Sequence, residues 1–252
     1  MGTKPRKLTD IFEEALFPSG LYCICCGSLI DESRTYALCD KCIKQFHWIT
    51  GRTCDKCGKA LPDTYRGELC YDCMAGQHIF KKGYSCLTYG LHERELLMGY
   101  KYSGKGYLAK KLGEMLYDRI SCEDLDVDII VPVPIHKKRE RQRGYNQAEL
   151  MAKRLADLWG VPVADRGFLR TRQTPLLRSL GPEDRQSYLE GAFAVTAAGQ
   201  RAIGGKRVLV VDDIYTTGAT ADAFSKELLK AGAGEVYLLT LASGGNRRPK
   251  GL

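Results

Sequence analysis

No stretch of this chain approaches the roughly 20 uninterrupted apolar residues that a membrane span requires. The opening segment, MGTKPRKLTDIFEEALFP, lacks the apolar core of a secretory signal, so a cytoplasmic protein without stable membrane insertion is expected. Disorder is excluded as well, because 44% of the 252 residues are hydrophobic against 27% charged. That length buries a full domain and leaves room for a small satellite.

Cysteine, by contrast, is abundant. Eight of the eleven cysteines fall in four Cys-x-x-Cys pairs, and without a secretory signal metal ligation explains them better than disulfides. Cys23, Cys26, Cys39 and Cys42 recur 31 residues later as Cys54, Cys57, Cys70 and Cys73, and Gly27 and Leu38 recur as Gly58 and Leu69. Such a tandem duplication predicts two self-sufficient units, each closing four thiolates around one structural Zn²⁺ with no open position for catalysis. Units this small bury little core, so the metal supplies much of their folding free energy. An interleaved arrangement, with the first and third pairs sharing a metal, has the same spacing and stays open, although the duplication argues against it. Cys25, Cys86 and Cys122 fall outside the pattern and read as small buried hydrophobes. Tyr36, Phe46, His47, Trp48, Tyr65 and Tyr71 offer stacking surfaces for bases, or fill the space around the metals.

The formal charge of +8 counts every cysteine as neutral. Two zinc sites of four thiolates each reduce it to about +4, so net basicity is a weak argument for nucleic acid. Its distribution says more. Lys137, Lys138, Arg139, Arg141 and Arg143 form one anion-seeking patch, and Arg166, Arg170, Arg172 and Arg178 follow.

From about Gly83 the pattern becomes apolar strands alternating with amphipathic helices, the signature of an α/β domain with a mostly parallel sheet and flanking helices. Strands are expected over 128–133, 206–211 and 235–241. Helical stripes of core residues run through Leu108, Leu112, Met115 and Leu116, through Ala148, Met151, Ala152 and Leu155, and through Ala221, Phe224 and Leu228. Residues 199–206 read as a glycine-containing loop and 244–252 as a frayed tail.

Residues 208–220, VLVVDDIYTTGAT, carry the chemistry. An apolar strand delivers Asp212 and Asp213 at its carboxyl end, where open α/β sheets bind ligands. Thr216, Thr217, Gly218, Ala219 and Thr220 then lead into a helix. Gly218 allows close backbone approach, successive N–H groups and the helix N-terminus favour a phosphate dianion, and the threonines add hydroxyl donors. The run resembles the phosphoribosyl pyrophosphate (PRPP) signature of type I phosphoribosyltransferases. That resemblance implies the 5′-phosphate on 216–220 and ribose with Mg²⁺ at Asp212 and Asp213. It also implies pyrophosphate at the turn after 128–135, DIIVPVPI, held by Val133 and Pro134. The cationic stretch 136–143 then supplies a mobile lid with Lys137, Lys138, Arg139 and Arg143. The lid and Mg²⁺ would stabilise departing pyrophosphate, and lid closure would exclude water.

Paired zinc units, Tyr100-Lys101-Tyr102-Ser103-Gly104, 131–134, Arg143-Gly144-Tyr145-Asn146-Gln147-Ala148 and the PRPP loop together resemble the ComF family of competence proteins over 21–241. The resemblance implies a type I phosphoribosyltransferase-like domain preceded by a small tandem zinc-ribbon domain with four cysteines to each metal. It further implies a cytoplasmic protein handling incoming single-stranded DNA during natural transformation, with the DNA-uptake machinery or a helicase as partner. The expected organisation is a lead segment 1–20, zinc units 21–78, the phosphoribosyltransferase-like domain 79–243 and a tail 244–252. Leu177 and Ser187 stand where relatives tend to show Gln and Asn, which puts the acceptor contacts in doubt.

Three functions follow: a single-strand DNA-handling protein, an active phosphoribosyltransferase on a base or nucleotide, or an adaptor for which PRPP is a signal. Purine-salvage enzymes of the 6-oxopurine type place an aspartate base where this chain has Thr216, and a threonine takes no proton at neutral pH. Orotate-type enzymes tolerate threonine there, so base salvage is weakened but stays open. The sequence has no glutaminase nucleophile domain, which argues against an ammonia-channelling amidotransferase.

Overall fold

The computed structural model describes residues 21–172, 189 and 191–246. Leu177, Arg178 and Ser187, and the lead segment 1–20, lie outside them.

The strands β1 (Lys82–Thr88), β2 (Ile129–Pro132), β5 (Arg207–Tyr215) and β6 (Glu235–Ser243) form one parallel sheet in the order β1-β6-β5-β2. Leu209 and Val211 of β5 face one layer, Val208 and Val210 the other, and all four are fully buried. A strand covered on both faces must be apolar throughout, which is why this run shows no alternation.

The helices α3 (Leu91–Tyr102), α4 (Ala109–Ser121) and α6 (Gln147–Trp159) cover the first face. Gly113 of α4 lets α6 approach, since a Cβ there would lie 2.6 Å from the Arg154 Cβ. On the second face lie α8 (Ala219–Lys230), α7 (Ala197–Ile203) and an antiparallel pair, β3 (Phe168–Arg170) with β4 (Phe193–Val195). Phe224 of α8 meets Phe168 and Phe193 of that pair at ring distances of 6.2 and 5.0 Å.

The expected strands are present with shifted ends. The strand expected over 206–211 runs on through both aspartates to Tyr215, because pairing with β6 continues at Asp212, Ile214 and Tyr215. The loop expected over 199–206 is a correction: 199–203 belong to α7, which Thr196 caps by accepting from Gly199 N. At the tail, 244–246 are tied down, since Gly244 N donates to Tyr215 O (2.8 Å) and Tyr71 N to Asn246 Oδ1 (3.0 Å).

The cysteine-rich segment straddles the β1 edge, with the first unit in the core of one face and the second in that of the other. Its helices are α1 (Asp40–Gln45) and α2 (Tyr71–Ala75), each starting at a cysteine. The joining linker and the first turn of the second unit close the edge: Ile49 N donates to Cys86 O, Thr88 N to His47 O and Gly83 N to Lys56 O. Glu93, wholly buried, locks the linker to α3 by accepting from His47 N (2.7 Å) and Gly90 N (2.8 Å). Among the described residues no helix is long and apolar enough to cross a membrane.

Candidate functional site

Asp212 and Asp213 are consecutive strand residues, so their side chains leave β5 on opposite faces. Each feels a cation from the layer on its own side. Asp213 Oδ2 lies 2.7 Å from Lys101 Nζ of α3, in a largely enclosed ion pair. Asp212 shares the electrostatic field of Arg170 of β3, which in turn feels Arg139. Burial first, and the neighbouring Asp213 charge second, push the Asp212 carboxyl up to about 7. Neither Lys101 nor the β3 position of Arg170 was foreseeable as a carboxylate partner from local sequence. The former was visible only as part of the 100–104 motif and the latter only as one arginine of a patch.

Beyond Tyr215 the chain turns through Thr216 and Thr217 to Gly218, whose φ of 86° is the left-handed conformation glycine adopts without strain. Gly218 is the N-cap of α8, so the first free N–H groups of that helix open onto the turn. Asp212 and 214–221 line a cavity of about 140 Å³. This is well below the about 300–1,000 Å³ of a drug-sized ligand site and suits one phosphate group. The structure therefore brings together Asp212, Thr216, Thr217, Gly218, Ala219 and Thr220.

Val133, buried after β2, donates its N–H to Val211 O (2.9 Å), while its carbonyl accepts from Asn146 Nδ2 (3.0 Å). The same Asn146 caps α6 by accepting from Ala148 N. The turn carrying Val133 and Pro134 is thus latched to the 143–148 motif. The expected lid stretch forms a short helix, α5 (Lys137–Arg143), with His136 as N-cap. Lys137 and Lys138 are exposed and Arg139 half-buried; none of them lines the cavity. The Arg143 guanidinium stacks on Tyr102 at 4.9 Å and donates to Tyr102 Oη and to Gln147 Oε1.

The motifs at 100–104 and 143–148, far apart in sequence, prove to be one packed unit. Tyr100 Oη donates to Gln147 O, Tyr145 Oη donates to Tyr100 O, and the two rings lie 5.8 Å apart. This unit sets the end of α3 and so delivers Lys101 to Asp213.

The cysteines assemble serially. Cys23, Cys26, Cys39 and Cys42 form one group and Cys54, Cys57, Cys70 and Cys73 another, which settles the pairing against the interleaved alternative. Four thiolates at about 2.3 Å from a tetrahedral zinc stand about 3.8 Å apart. The Sγ separations of 3.7 Å (Cys26 to Cys39) and 3.6 Å (Cys57 to Cys70) fit that ion. Gly27 and Gly58 take φ of 74° and 72° at the equivalent turns, so the duplication extends to the backbone.

Of the remaining cysteines, Cys86 is buried and Cys25 half-buried, but Cys122 is exposed, correcting its assignment to the interior. The aromatic side chains of the two units pack mainly on each other. Trp48 stacks on Tyr36 at 5.5 Å and meets Phe46 edge-on, and Tyr65 meets Tyr71 edge-on.

Comparison with known proteins agrees with the paired four-cysteine units. The double zinc ribbon domain family matches residues 12–74. Among solved structures, the glutamine PRPP amidotransferase of B. subtilis superposes at a TM-score of 0.38 with 21% identity, over 57% of this chain and 30% of that one. An adenine phosphoribosyltransferase from Leishmania tarentolae superposes at 0.34 with 16% identity, over 56% and 73%. This chain spans about 30% of the amidotransferase's length. The parallel sheet with its flanking helices and the paired four-cysteine units define an α/β protein with an N-terminal double zinc ribbon.

Competence protein F of Haemophilus influenzae is 30% identical over 209 residues, 81% of this chain and 88% of that protein. Competence protein ComFC of Bacillus subtilis is 25% identical over 242 residues, covering 88% and 94%. The DNA utilization protein YhgH of Escherichia coli strain K12 is 26% identical over 212 residues, covering 82% and 90%. The chain belongs to the ComF family of competence proteins.

Proposed function

We propose that this protein handles single-stranded DNA during natural transformation, in the cytoplasm, and that its phosphoribosyltransferase-like domain binds PRPP with Mg²⁺. The observation that carries the reading is the kinship with competence protein F over four-fifths of the chain. The names of the relatives, competence and DNA utilization proteins, supply the DNA side. The cavity at 216–220 supports the ligand side, since it offers a left-handed glycine turn, hydroxyls and a helix N-terminus beside a carboxylate pair.

In this reading Thr216, Thr217, Gly218, Ala219 and Thr220 hold the 5′-phosphate, and Asp212 and Asp213 face ribose and Mg²⁺. Val133 and Pro134 present backbone to the pyrophosphate, and Lys137, Lys138, Arg139 and Arg143 close from α5. Residues 21–78 form the zinc-binding domain and 79–243 the PRPP-binding one. DNA-uptake machinery or a helicase is the protein partner.

Two measurements test it. Electrophoretic shift of a single-stranded oligonucleotide should weaken steeply with salt, because displaced counterions drive the association. No shift even at low salt would overturn the DNA reading. Calorimetry with PRPP and Mg²⁺ should show one site lost in Thr217→Ala, and an unchanged affinity in that variant would overturn the ligand assignment.

The intact carboxylate pair favours a second reading, phosphoribosyl transfer to a base or nucleotide. Mg²⁺-dependent pyrophosphate release across a panel of acceptors supports it, and PRPP binding with no release counts against it.

A further inference from the structure

The linker from the second four-cysteine unit to β1 passes directly behind the phosphate turn. There His78, almost fully buried, sits between two residues of the site's framework. Asp222 of α8, an acceptor through both oxygens when ionised, takes Ile79 N at 2.9 Å and His78 Nδ1 at 2.7 Å. This bond fixes the proton on Nδ1 and leaves Nε2 to accept from the Tyr215 hydroxyl at 3.0 Å. Phe80 stacks on the other face of the imidazole at 5.1 Å. Gly218 closes over this arrangement: a Cβ there would lie 2.5 Å from His78 Cε1 and 2.8 Å from Tyr215 Oη. Tyr215 and Gly218 line the cavity, whereas His78 does not.

Tyr215 also faces the second four-cysteine unit. Lys59, next to the Gly58 turn and 2% exposed, holds its ammonium 5.3 Å over the Tyr215 ring and pairs with Asp72, which lies between Cys70 and Cys73. The segment 244–246 makes the same link, since Tyr215 O accepts from Gly244 N and the Asn246 side-chain Oδ1 from Tyr71 N. The first unit has different neighbours: Tyr36 donates to Asp118 of α4, and His47 beyond α1 meets Glu93 of α3.

We propose that His78 is a positioning residue for the phosphate turn and that, through Tyr215, it joins that turn to the second four-cysteine unit. Metal at Cys54, Cys57, Cys70 and Cys73 and an anion at 216–220 then favour each other, while the first unit stands apart. The anion half of this statement rests on the proposed PRPP site; the positioning half does not. Coupling of this kind is reciprocal, so it can be read from either end.

The test is hydrogen exchange by mass spectrometry on the full chain without ligand. The variants are Tyr215→Phe, which keeps the ring and deletes the hydroxyl, and His78→Asn, which keeps a donor for Asp222. Cys73→Ser and Cys26→Ser perturb the second and first metal sites. Exchange over 215–221 should accelerate about three- to tenfold in Tyr215→Phe, His78→Asn and Cys73→Ser, and stay at the wild-type rate in Cys26→Ser.

The same three variants should bind PRPP about three- to tenfold more weakly by calorimetry. PRPP should also slow the release of one zinc equivalent of two to a chromogenic chelator, and do so less in Tyr215→Phe. Unchanged loop exchange in both His78→Asn and Tyr215→Phe overturns the proposal whether or not Cys73→Ser folds. Wild-type protein that takes no PRPP removes the ligand assignment, and the exchange rates still decide the role of His78.

Discussion

Lys101 and Asp213 form an ion pair, 2.7 Å from Nζ to Oδ2, between the last turn of a helix and the end of the central strand. The pair neutralises one of two adjacent carboxylates. Lys101→Met should therefore leave Asp212 and Asp213 repelling each other. The expected loss is about 1–2 kcal/mol, or a few degrees in Tm, in Mg²⁺-free buffer at neutral pH. Millimolar Mg²⁺ should restore most of it, since the metal replaces the missing cation; thermal melts with and without Mg²⁺ measure both.

The two zinc units should differ in lability. Cys54, Cys57 and Cys70 are fully buried, whereas Cys26 is exposed and Cys39 half-buried. Chelator competition should release the two equivalents in separate phases, the second unit slower by about tenfold or more, because its release requires the core around Phe80 and Tyr215 to open. Cys57→Ser should cost more soluble protein than Cys26→Ser.

Gly218→Ala should be damaging on two counts. The φ of 86° costs a β-carbon about 1–2 kcal/mol, and that carbon meets the His78 ring at 2.5 Å. PRPP affinity should fall by more than about tenfold, with a lowered Tm; Gly27→Ala, equally left-handed but with no atom within 4 Å of the added carbon, should spare PRPP binding.

Burial pushes the Cys86 thiol up to about 12, so it stays neutral in the fold and ionises near its ordinary value of 9.0 when exposed. Ionisation of the unfolded chain alone therefore draws stability away as the pH rises from about 9 toward 12. Maleimide labelling of native protein near pH 8 should modify exposed Cys122 and spare Cys86, which should label only on unfolding. Peptide mapping separates the two.

The four-cysteine groups and the strand–turn–helix junction at 208–220 were legible because their signals are local: cysteine spacing in one case, an apolar run followed by Gly218 and a helix start in the other. What escaped depends on contacts between distant residues. Lys101 reaches Asp213 only because Tyr100 packs on Tyr145 and hydrogen-bonds to Gln147. Helix α7 was read as loop because Gly199 weakens helical propensity, yet glycine is required there: a Cβ would lie 2.6 Å from Gly167 O. Strand β1, KGYSCLT, has neither an unbroken apolar run nor clean alternation, since Gly83 packs on the Cys57 backbone and Ser85 bonds to Thr240. Likewise His78 offers no motif, being one histidine in a linker until the fold sets it against Asp222 and Tyr215.

The edge closure of β1 bears on how the chain is made. Its partner in the sheet, β6, lies some 150 residues later, so during synthesis β1 must wait unpaired on that side. The linker residues that cover the other side are already translated and, once the cysteines have taken metal, already held in place. A waiting strand with one flank occupied has half the opportunity to join a strand from another ribosome. Zinc scarcity during expression should thus be felt as aggregation of nascent chains before it is felt as loss of any activity.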